Sequence, residues 1–68
     1  MFINIVDEFT SEIINLNNIM NISKEDKPEC MHEIIFHTII DTEIRFSWRN
    51  QEDRDEVFNY ILKGDING

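Results

Sequence analysis

The sequence predicts an α+β fold in which an antiparallel β-meander of three to five strands carries one C-terminal α-helix. Two observations lead to this prediction. Residues 43–49 alternate between polar and apolar side chains, which is typical of a strand with one buried face. The residues that follow carry the signals of a helix start. We predict a single domain spanning residues 1–68, because a chain of this length cannot supply two cores.

The C-terminal helix is predicted from its cap and its apolar stripe. Asn50 is a good N-cap, and the acidic residues that follow complement the positive end of a helix dipole. Large apolar residues then recur at the spacing of one helix face, at Val57, Phe58, Ile61 and Leu62. We therefore expect this helix to pack against the sheet.

The partner of the strand at residues 43–49 is predicted within residues 31–40, with the chain reversing around Asp41 and Thr42. A shift of register by one residue would exchange the two faces of the partner strand. In either register large apolar side chains remain on both faces, so we expect N-terminal strands, a second subunit or a target to cover one of them. The core face carries Ile35, His37 and Ile39 with a two-residue turn, or Ile34, Phe36 and Ile40 with a loop one residue longer.

The N-terminal half has two interpretations. Residues 2–6 and 12–22 are rich in β-branched side chains, which favours strands with a turn or bulge at Asn17 and Asn18. The high Asn and Ile content and the absence of Ala also weigh against a helix. Residues 23–29 are predicted to form a loop, because they are mostly charged and include a proline. The alternative helix would present an apolar stripe of Val6, Phe9, Ile13, Leu16 and Met20.

The chain is strongly acidic, with 14 Asp and Glu residues against 6 Lys and Arg residues and a net charge of −8. Such a surface repels phosphates, so we expect neither direct nucleic-acid binding nor attachment to an anionic membrane. Cys30 is the only cysteine, which excludes an internal disulfide and favours a cytoplasmic location. No signal-peptide pattern or membrane span is evident. Because a core of this size is marginal, a homodimer is expected.

A resemblance to known proteins rests on the order and polarity of four segments: residues 14–22 (INLNNIMNI), 33–36 (EIIF), 41–46 (DTEIRF) and 52–57 (EDRDEV). Together they resemble many small bacterial and phage proteins in which three or more meander strands precede one helix, an arrangement similar to the C-terminal part of a pleckstrin-homology-like fold. The likeness covers most of the chain after residue 12. It implies the fold and no particular activity.

The residues that can bind metals or act as nucleophiles lack the spacing that such chemistry requires. On a strand, Cys30 and His32 share one face and His37 points to the other, so we predict no zinc site. We interpret His37 as a satisfied, partly buried side chain beside Phe46 or Trp48. Neither an oxyanion hole nor a third orienting group is indicated for Cys30 and His32. We therefore expect no enzyme activity and no cofactor.

Two sets of residues are candidates for binding another protein. An acidic set would offer carboxylates to a basic cleft, as a nucleic-acid mimic does. An aromatic pair would supply the apolar part of an interface. Simpler interpretations compete, because charges at a helix start also complement its dipole and alternation favours the core for the tryptophan. The acidic set is Glu52, Asp53, Asp55, Glu56, Glu25 and Asp26, with Glu29, Asp7 and Glu8 as further carboxylates, and the aromatic pair is Phe36 and Trp48, with Met20 and Met31 as further apolar candidates.

These features predict a small acidic binding protein without catalytic activity. Our preferred hypothesis is an inhibitor from a phage or mobile element that blocks a basic surface of a nucleic-acid-handling host defence complex, of the anti-CRISPR or anti-restriction type. The 13 Ile and 8 Asn residues and the absence of Ala fit an AT-rich genome, which a phage, a mobile element or a low-GC bacterium would have. One alternative is a pleckstrin-homology-like structural or regulatory module that binds a peptide or a sister subunit. A less favoured one is an oligomer that sequesters a small signalling molecule.

Overall fold

Five antiparallel strands in two sheets precede a single helix in the computed structural model, which describes residues 1–29 and 31–67. The predicted α+β fold, with its meander and C-terminal helix, is confirmed. A 3-10 turn at Leu16–Asn18 joins the second strand to the third, where the sequence predicted a turn or bulge. The elements are β1 (Phe2–Val6), β2 (Ser11–Asn15), β3 (Ile19–Lys27), β4 (Met31–Thr38), β5 (Glu43–Trp48) and α1 (Gln51–Asn67).

The first two strands form an antiparallel hairpin, so the strand interpretation of the N-terminal half is correct and the helix is not formed. Ile3 lies opposite Ile14, and both are buried together with Ile5. Because side chains alternate along a strand, Phe2 and Val6 point away from the core. The hairpin therefore has a buried inner face and an exposed outer face that is also apolar.

The other three strands form a meander in the order β3-β4-β5. Ile34 lies opposite Phe46, and Phe36 lies opposite Ile44. This register places Ile34 and Phe36 on the core face, as the longer-loop alternative predicted. The loop is longer still, because β4 ends at Thr38 and β5 begins at Glu43. Ile40 therefore lies in the turn and not on the core face.

The predicted loop at residues 23–29 is wrong over most of its length. Strand β3 continues to Lys27, and the two residues that follow lie in a turn. The charged residues of this segment remain in a strand because β4 lies beside it in register and because Glu25 and Asp26 form ion pairs with Arg45 of β5 and Arg54 of α1. Charge alone did not distinguish a polar edge strand from a loop, since Lys and acidic residues commonly protect sheet edges.

One hydrophobic core joins both sheets and the helix. Its centre is aromatic: the rings of Phe36 and Phe46 meet edge to face at 5.6 Å, and Phe46 lies 6.4 Å from the Trp48 ring. Edge-to-face aromatic pairs contribute free energy beyond the area that they bury. The helix contributes Ile61 to this core, with Val57 and Phe58 packed against it. The predicted apolar stripe is thus the face by which α1 packs, although Leu62 remains exposed.

The outer face of the meander is polar, contrary to the expectation of a second apolar face on β4. Ile35 is the buried apolar residue there, and its neighbours along the strand on that face are Glu33 and His37. Arg45 lies directly opposite Ile35 and forms ion pairs with surrounding carboxylates. Because charged side chains already cover this face, it does not require a second subunit or a target.

Asp7 fastens the β1–β2 turn to the edge of β5. One carboxylate oxygen accepts hydrogen bonds from the backbone N–H groups of Phe9 (2.8 Å) and Thr10 (2.7 Å), and the other accepts from Ser47 N–H (2.7 Å). We expect Asp7→Ala to lower the free energy of unfolding by about 1–2 kcal/mol, because these donors lose their acceptor. Urea unfolding at neutral pH measures this. The exposed Glu29→Ala is the control and should change stability by less than about 0.5 kcal/mol.

The same contacts make the contribution of Asp7 depend on pH. Partial burial raises the pKa of Asp7, but the backbone donors from Ser47, Phe9 and Thr10 outweigh it and hold the pKa below its ordinary value. A lowered pKa means that the folded state favours the charged carboxylate, so its stabilising effect is present above the unfolded pKa and is lost as pH falls through the folded one. Between about pH 5 and pH 2 the wild type should therefore lose more stability than Asp7→Ala. Equal losses would contradict this role.

Candidate functional site

Arg54 lies at the end of the first turn of α1 and is the largest fully buried side chain, with 2% of its surface exposed. Its Nε donates to the Asp55 carboxylate (2.7 Å), and its Nη2 lies 2.9 Å from a carboxylate oxygen of Asp26. Its Nη1 donates to the backbone carbonyl oxygens of Glu25 (3.3 Å) and Glu33 (3.2 Å). A single guanidinium therefore ties the start of the helix to β3 and β4.

These contacts assign a structural role to two of the predicted binding residues. Hydrogen bonds from His32 and then Arg54 lower the pKa of Asp26, and a hydrogen bond from Arg54 lowers the pKa of Asp55, although desolvation opposes the shift in each case. Lys24 Nζ lies 3.6 Å from the Asp55 carboxylate and 4.9 Å from the centre of the Phe58 ring. Asp26 and Asp55 thus neutralise cations of the protein itself and are less available to a partner.

Glu25, the third such residue, belongs to an ionic cluster on the outer face of the sheet. Arg45 is its centre and contacts Glu33 (2.9 Å), Glu43 (2.9 Å) and Glu25 (3.3 Å). Hydrogen bonds to Glu43 and then to Glu33 raise the pKa of Arg45, so this guanidinium stays charged. Lys27 lies 3.8 Å from Glu25 and adds a second cation. The predicted acidic set is therefore split between the two faces of the sheet.

The remaining acidic residues of the predicted set lie together on the exposed side of the first helical turns. Glu52, Asp53 and Glu56 are exposed, and within the described residues none of them forms an ion pair. The turn of the first hairpin adds Glu8, whose carboxylate accepts a hydrogen bond from the Arg49 N–H (3.4 Å) just before the helix. We call Glu8, Glu52, Asp53 and Glu56 the acidic surface.

The cap that begins the helix holds this surface in place. The Asn50 side-chain oxygen accepts a hydrogen bond from the Glu52 N–H (2.8 Å), which confirms Asn50 as the N-cap. The Arg54 N–H in turn donates to the Asn50 carbonyl oxygen (3.2 Å). Because Arg54 is buried beneath the same turn, the neighbouring Glu52 and Asp53 face outward from a fixed backbone.

The aromatic pair predicted as an interface lies in the core. Phe36 has 0% and Trp48 has 5% of its surface exposed. Phe36 occupies the central strand β4 and Trp48 the end of β5, and both belong to the buried cluster. A partner cannot reach these side chains in the folded protein, so neither contributes to a binding surface.

The two histidines have hydrogen-bonding partners on opposite faces of β4. His32 Nδ1 lies 2.8 Å from a carboxylate oxygen of Asp26. His37 is half-buried and satisfied, as predicted, but its neighbours are Ser23 (3.2 Å) and Glu43 (3.5 Å) and not the core aromatic rings. Cys30 lies outside the described residues. Over the described ranges 1–29 and 31–67, no group of three or more potential ligands could hold a metal ion.

A second surface, which the sequence did not reveal, is an apolar groove between the first hairpin and the β4–β5 turn. Its volume is about 400 Å³. Three of its side chains are unusually exposed for isoleucine: Ile13 at 72%, Ile39 at 61% and Ile40 at 75%. Four uncharged polar residues complete the lining. We call this the isoleucine groove, and its apolar residues are Ile13, Ile14, Ile19, Ile39, Ile40 and Ile44.

The only signal of this groove in the sequence is the pair Ile39-Ile40, which directly precedes the predicted reversal at Asp41 and Thr42. Turns normally carry Gly, Pro, Asn, Asp or Ser, so two isoleucines beside a turn require an explanation. The sequence assigned both isoleucines to the strand within residues 31–40, where one or the other would have lain on the core face. The structure moves both into the turn.

Comparison with known proteins does not add to this picture. The chain has no significant match among protein-family models, curated proteins or solved structures. No helix within the part of the chain that the structure describes is long and apolar enough to cross a membrane. The candidate surfaces must therefore be interpreted from their own geometry and charge.

Proposed function

We propose that this protein is a small acidic inhibitor without catalytic activity, which docks its acidic surface onto a basic surface of a nucleic-acid-handling host complex. In this proposal it acts in the cytoplasm of the host cell and is encoded by a phage or mobile element. The carboxylates take the place that phosphates of DNA or RNA would otherwise occupy. Direct binding to nucleic acid or to an anionic membrane is not part of the proposal, because the free carboxylates repel phosphate.

The observation that carries the proposal is the uneven pairing of charges. Within the described residues, four of the six Lys and Arg residues form ion pairs with carboxylates of the same chain, on or against the meander. Among the described residues, Glu52, Asp53 and Glu56 have no such partner, because Arg54, the cation next to them in sequence, is buried and pairs with Asp26 and Asp55. The charge that solvent and partners meet at this end of the molecule is therefore negative. Such a surface accelerates encounter with a basic target.

Complementation of the helix dipole accounts for only part of this arrangement. Its benefit falls off within the first turn, which covers Glu52 and Asp53 but not Glu56. Glu52 and Glu56 are four residues apart on one helix face, where two like charges destabilise a helix by a few tenths of a kcal/mol. Folding alone therefore does not favour Glu56, whereas a basic partner would.

A charge-reversal experiment tests this proposal. The wild type and the double variant Glu52→Lys, Glu56→Lys serve as baits in host lysate at about 50 mM and about 200 mM salt, and captured proteins are quantified by mass spectrometry. We expect the wild type to enrich nucleic-acid-binding proteins at low salt, and the enrichment to fall at least about tenfold in the double variant. Higher salt should weaken capture by the wild type, because exposed charges are screened.

The matched control reverses two exposed acidic residues elsewhere, in the variant Glu12→Lys, Glu29→Lys. Each double variant changes the net charge by the same amount, so the control separates a local surface from overall charge. The control should retain most of the capture. If both variants lose capture equally, net charge is sufficient and the acidic surface has no special role. If neither loses it, inhibition by charge is excluded.

The second candidate function, a module that binds a peptide or a sister subunit at its sheet edge, is favoured by the outer edge of β3. This strand is nine residues long and pairs, within the described chain, only with β4. An extended peptide could add to such an edge by main-chain hydrogen bonds. Lys24 and Lys27 make this edge unfavourable for non-specific pairing, so a peptide there would need complementary acidic side chains. Binding that is insensitive to the helix charge reversals would favour this function.

A further inference from the structure

The β4–β5 turn presents two isoleucines on a rigid backbone. The Thr38 N–H donates to the Thr42 carbonyl oxygen (2.9 Å), and the two threonine hydroxyls lie 2.6 Å apart. The Ile39 N–H donates to the carbonyl oxygen of Asn18 (3.0 Å), which ties the turn to the 3-10 segment. Ile39 and Ile40 therefore project into solvent from a fixed position. Because these side chains are already held in place, less conformational entropy is lost when a partner binds them.

The exposed apolar surface continues from the turn across the groove to the outer face of the first hairpin. Ile13 lies opposite Asn4, so it shares the outer face with Phe2 and Val6, its diagonal neighbours across the two strands. Phe2 is 69% and Val6 is 55% exposed. The isoleucine groove is therefore the central part of a larger apolar surface.

We propose that this surface is a homodimer interface, in which the Ile39–Ile40 ridge of one copy packs into the isoleucine groove of a second copy and the reverse contact forms at the same time. The ridge forms one wall of the groove on each molecule, and Ile13 of the first hairpin lies on the other side of the groove. A two-fold axis between the two copies would bring each ridge to the other groove, which is the self-complementary arrangement of a symmetric dimer. This interface is distinct from the acidic surface and does not depend on the inhibitor function.

The exposed area matches what a dimer requires. A stable interface takes about 800 Å² from each partner, and in homodimers about 65% of that is apolar. The requirement is thus on the order of 500 Å² of apolar surface for each copy. Five side chains that are 55–75% exposed present a comparable area, on the order of 500 Å². Soluble monomers rarely expose a larger contiguous apolar patch.

Charge favours a second copy over a basic partner as the occupant. Each copy has a net charge of −8, so two copies approach most easily through a surface without carboxylates. Among the described residues that line the isoleucine groove, none is charged, although 29% of the chain is. A basic target would bind the acidic surface, whose charge is complementary, and not the uncharged isoleucine groove.

Sedimentation velocity from about 10 μM to about 1 mM tests the dimer, with Ile40→Asp and Ile13→Asp as variants on the two sides of the contact. We expect the wild type to reach twice the 8.2 kDa chain mass, and each variant to raise the dimer dissociation constant at least about a hundredfold. Tyr60→Asp is the control, because Tyr60 is another large exposed side chain, 57% exposed, that lies on α1 and outside the groove. It should dimerise like the wild type.

Three outcomes would overturn the inference. One is a wild type that stays monomeric at the highest concentration. Another is a dimer that persists in both groove variants, which would place the interface elsewhere. The third is a monomer whose groove binds an apolar dye such as anilinonaphthalene sulfonate, where Ile40→Asp abolishes dye binding. This result would assign the groove to an apolar ligand. Ile40 and Ile13 are both exposed, and circular dichroism spectra that match the wild type would show that the variants fold.

Discussion

Replacement of Arg54 by methionine is expected to lower the free energy of unfolding by about 3 kcal/mol. The guanidinium is buried and donates to two backbone carbonyl oxygens and two carboxylates on three different elements. Methionine fills similar space but leaves these acceptors without their donor, and a buried acceptor without a partner costs about 1–3 kcal/mol. Asp26 and Asp55 are partly exposed and can return to water, which keeps the loss below that of a fully buried ion pair.

A loss of about 3 kcal/mol is a large fraction of the free energy of unfolding of a protein of this size. A core of this length supplies only about 3–5 kcal/mol of net stability, so Arg54→Met should leave a marginal fold. For a domain of 60–100 residues each kcal/mol corresponds to a shift of about 4–8 °C in the melting temperature, so Tm should fall by more than about 10 °C. Thermal unfolding followed by circular dichroism measures the shift, and urea unfolding measures the free energy.

Arg49→Met is the matched control, because Arg49 is exposed and makes no ion pair within the described residues. It removes the same charge and should change stability by less than about 0.5 kcal/mol. Arg54→Lys should recover only part of the loss, since an ammonium cannot reach all of the acceptors that the planar guanidinium contacts. If Arg54→Met were as stable as Arg49→Met, the guanidinium would not fasten the helix to the sheet.

The fold class was predictable because its two strongest signals are local. Alternation in β5 and the capped start of α1 depend on neighbouring residues, and both survive in the structure. The limits of β5 and α1 in the structure agree with those predicted from the sequence within a few residues. Local periodicity was also enough to place Ile61 in the core, since it lies on the apolar stripe of the helix.

The role of Arg54 was not predictable, because its partners come from distant parts of the chain. In the sequence it stands among four acidic residues and reads as one more exposed charge on a solvated helix face. Its burial follows from contacts with Glu25 and Glu33, 29 and 21 residues away. These same contacts hold β3 in the sheet and explain why its charged residues do not form a loop.

The candidate surfaces could be predicted only in part, because they too depend on contacts between distant parts of the chain. The sequence placed a group of carboxylates at the helix start, but which of them remain unpaired depends on the positions of Lys24 and Arg54. The isoleucine groove depends on the register of the β4–β5 hairpin, which the sequence left open between alternatives, and on the packing of the first hairpin beside it. Pattern alone cannot supply such tertiary placement.

Replacement of Phe36 by alanine is expected to lower the free energy of unfolding by about 4 kcal/mol, enough to unfold most of the protein at 37 °C. Phe36 has no exposed surface and packs edge to face on Phe46 at 5.6 Å. Truncation loses the transfer free energy of the ring and the aromatic contact, and it leaves a cavity in the central strand. Urea unfolding measures the change, and Phe9→Ala, at a phenylalanine that is 63% exposed, is the matched control and should cost less than about 1 kcal/mol.

This comparison also decides how a binding experiment with Phe36 must be interpreted. If Phe36 were an interface residue, Phe36→Ala would weaken binding while the protein stayed folded. Because the side chain is in the core, we expect binding and far-ultraviolet circular dichroism to be lost together, and both to be retained in Phe36→Leu, which keeps most of the buried volume. A folded Phe36→Ala variant with weakened binding would contradict the core assignment. Surface variants such as Glu52→Lys and Ile40→Asp therefore test binding without this ambiguity, since both residues are exposed.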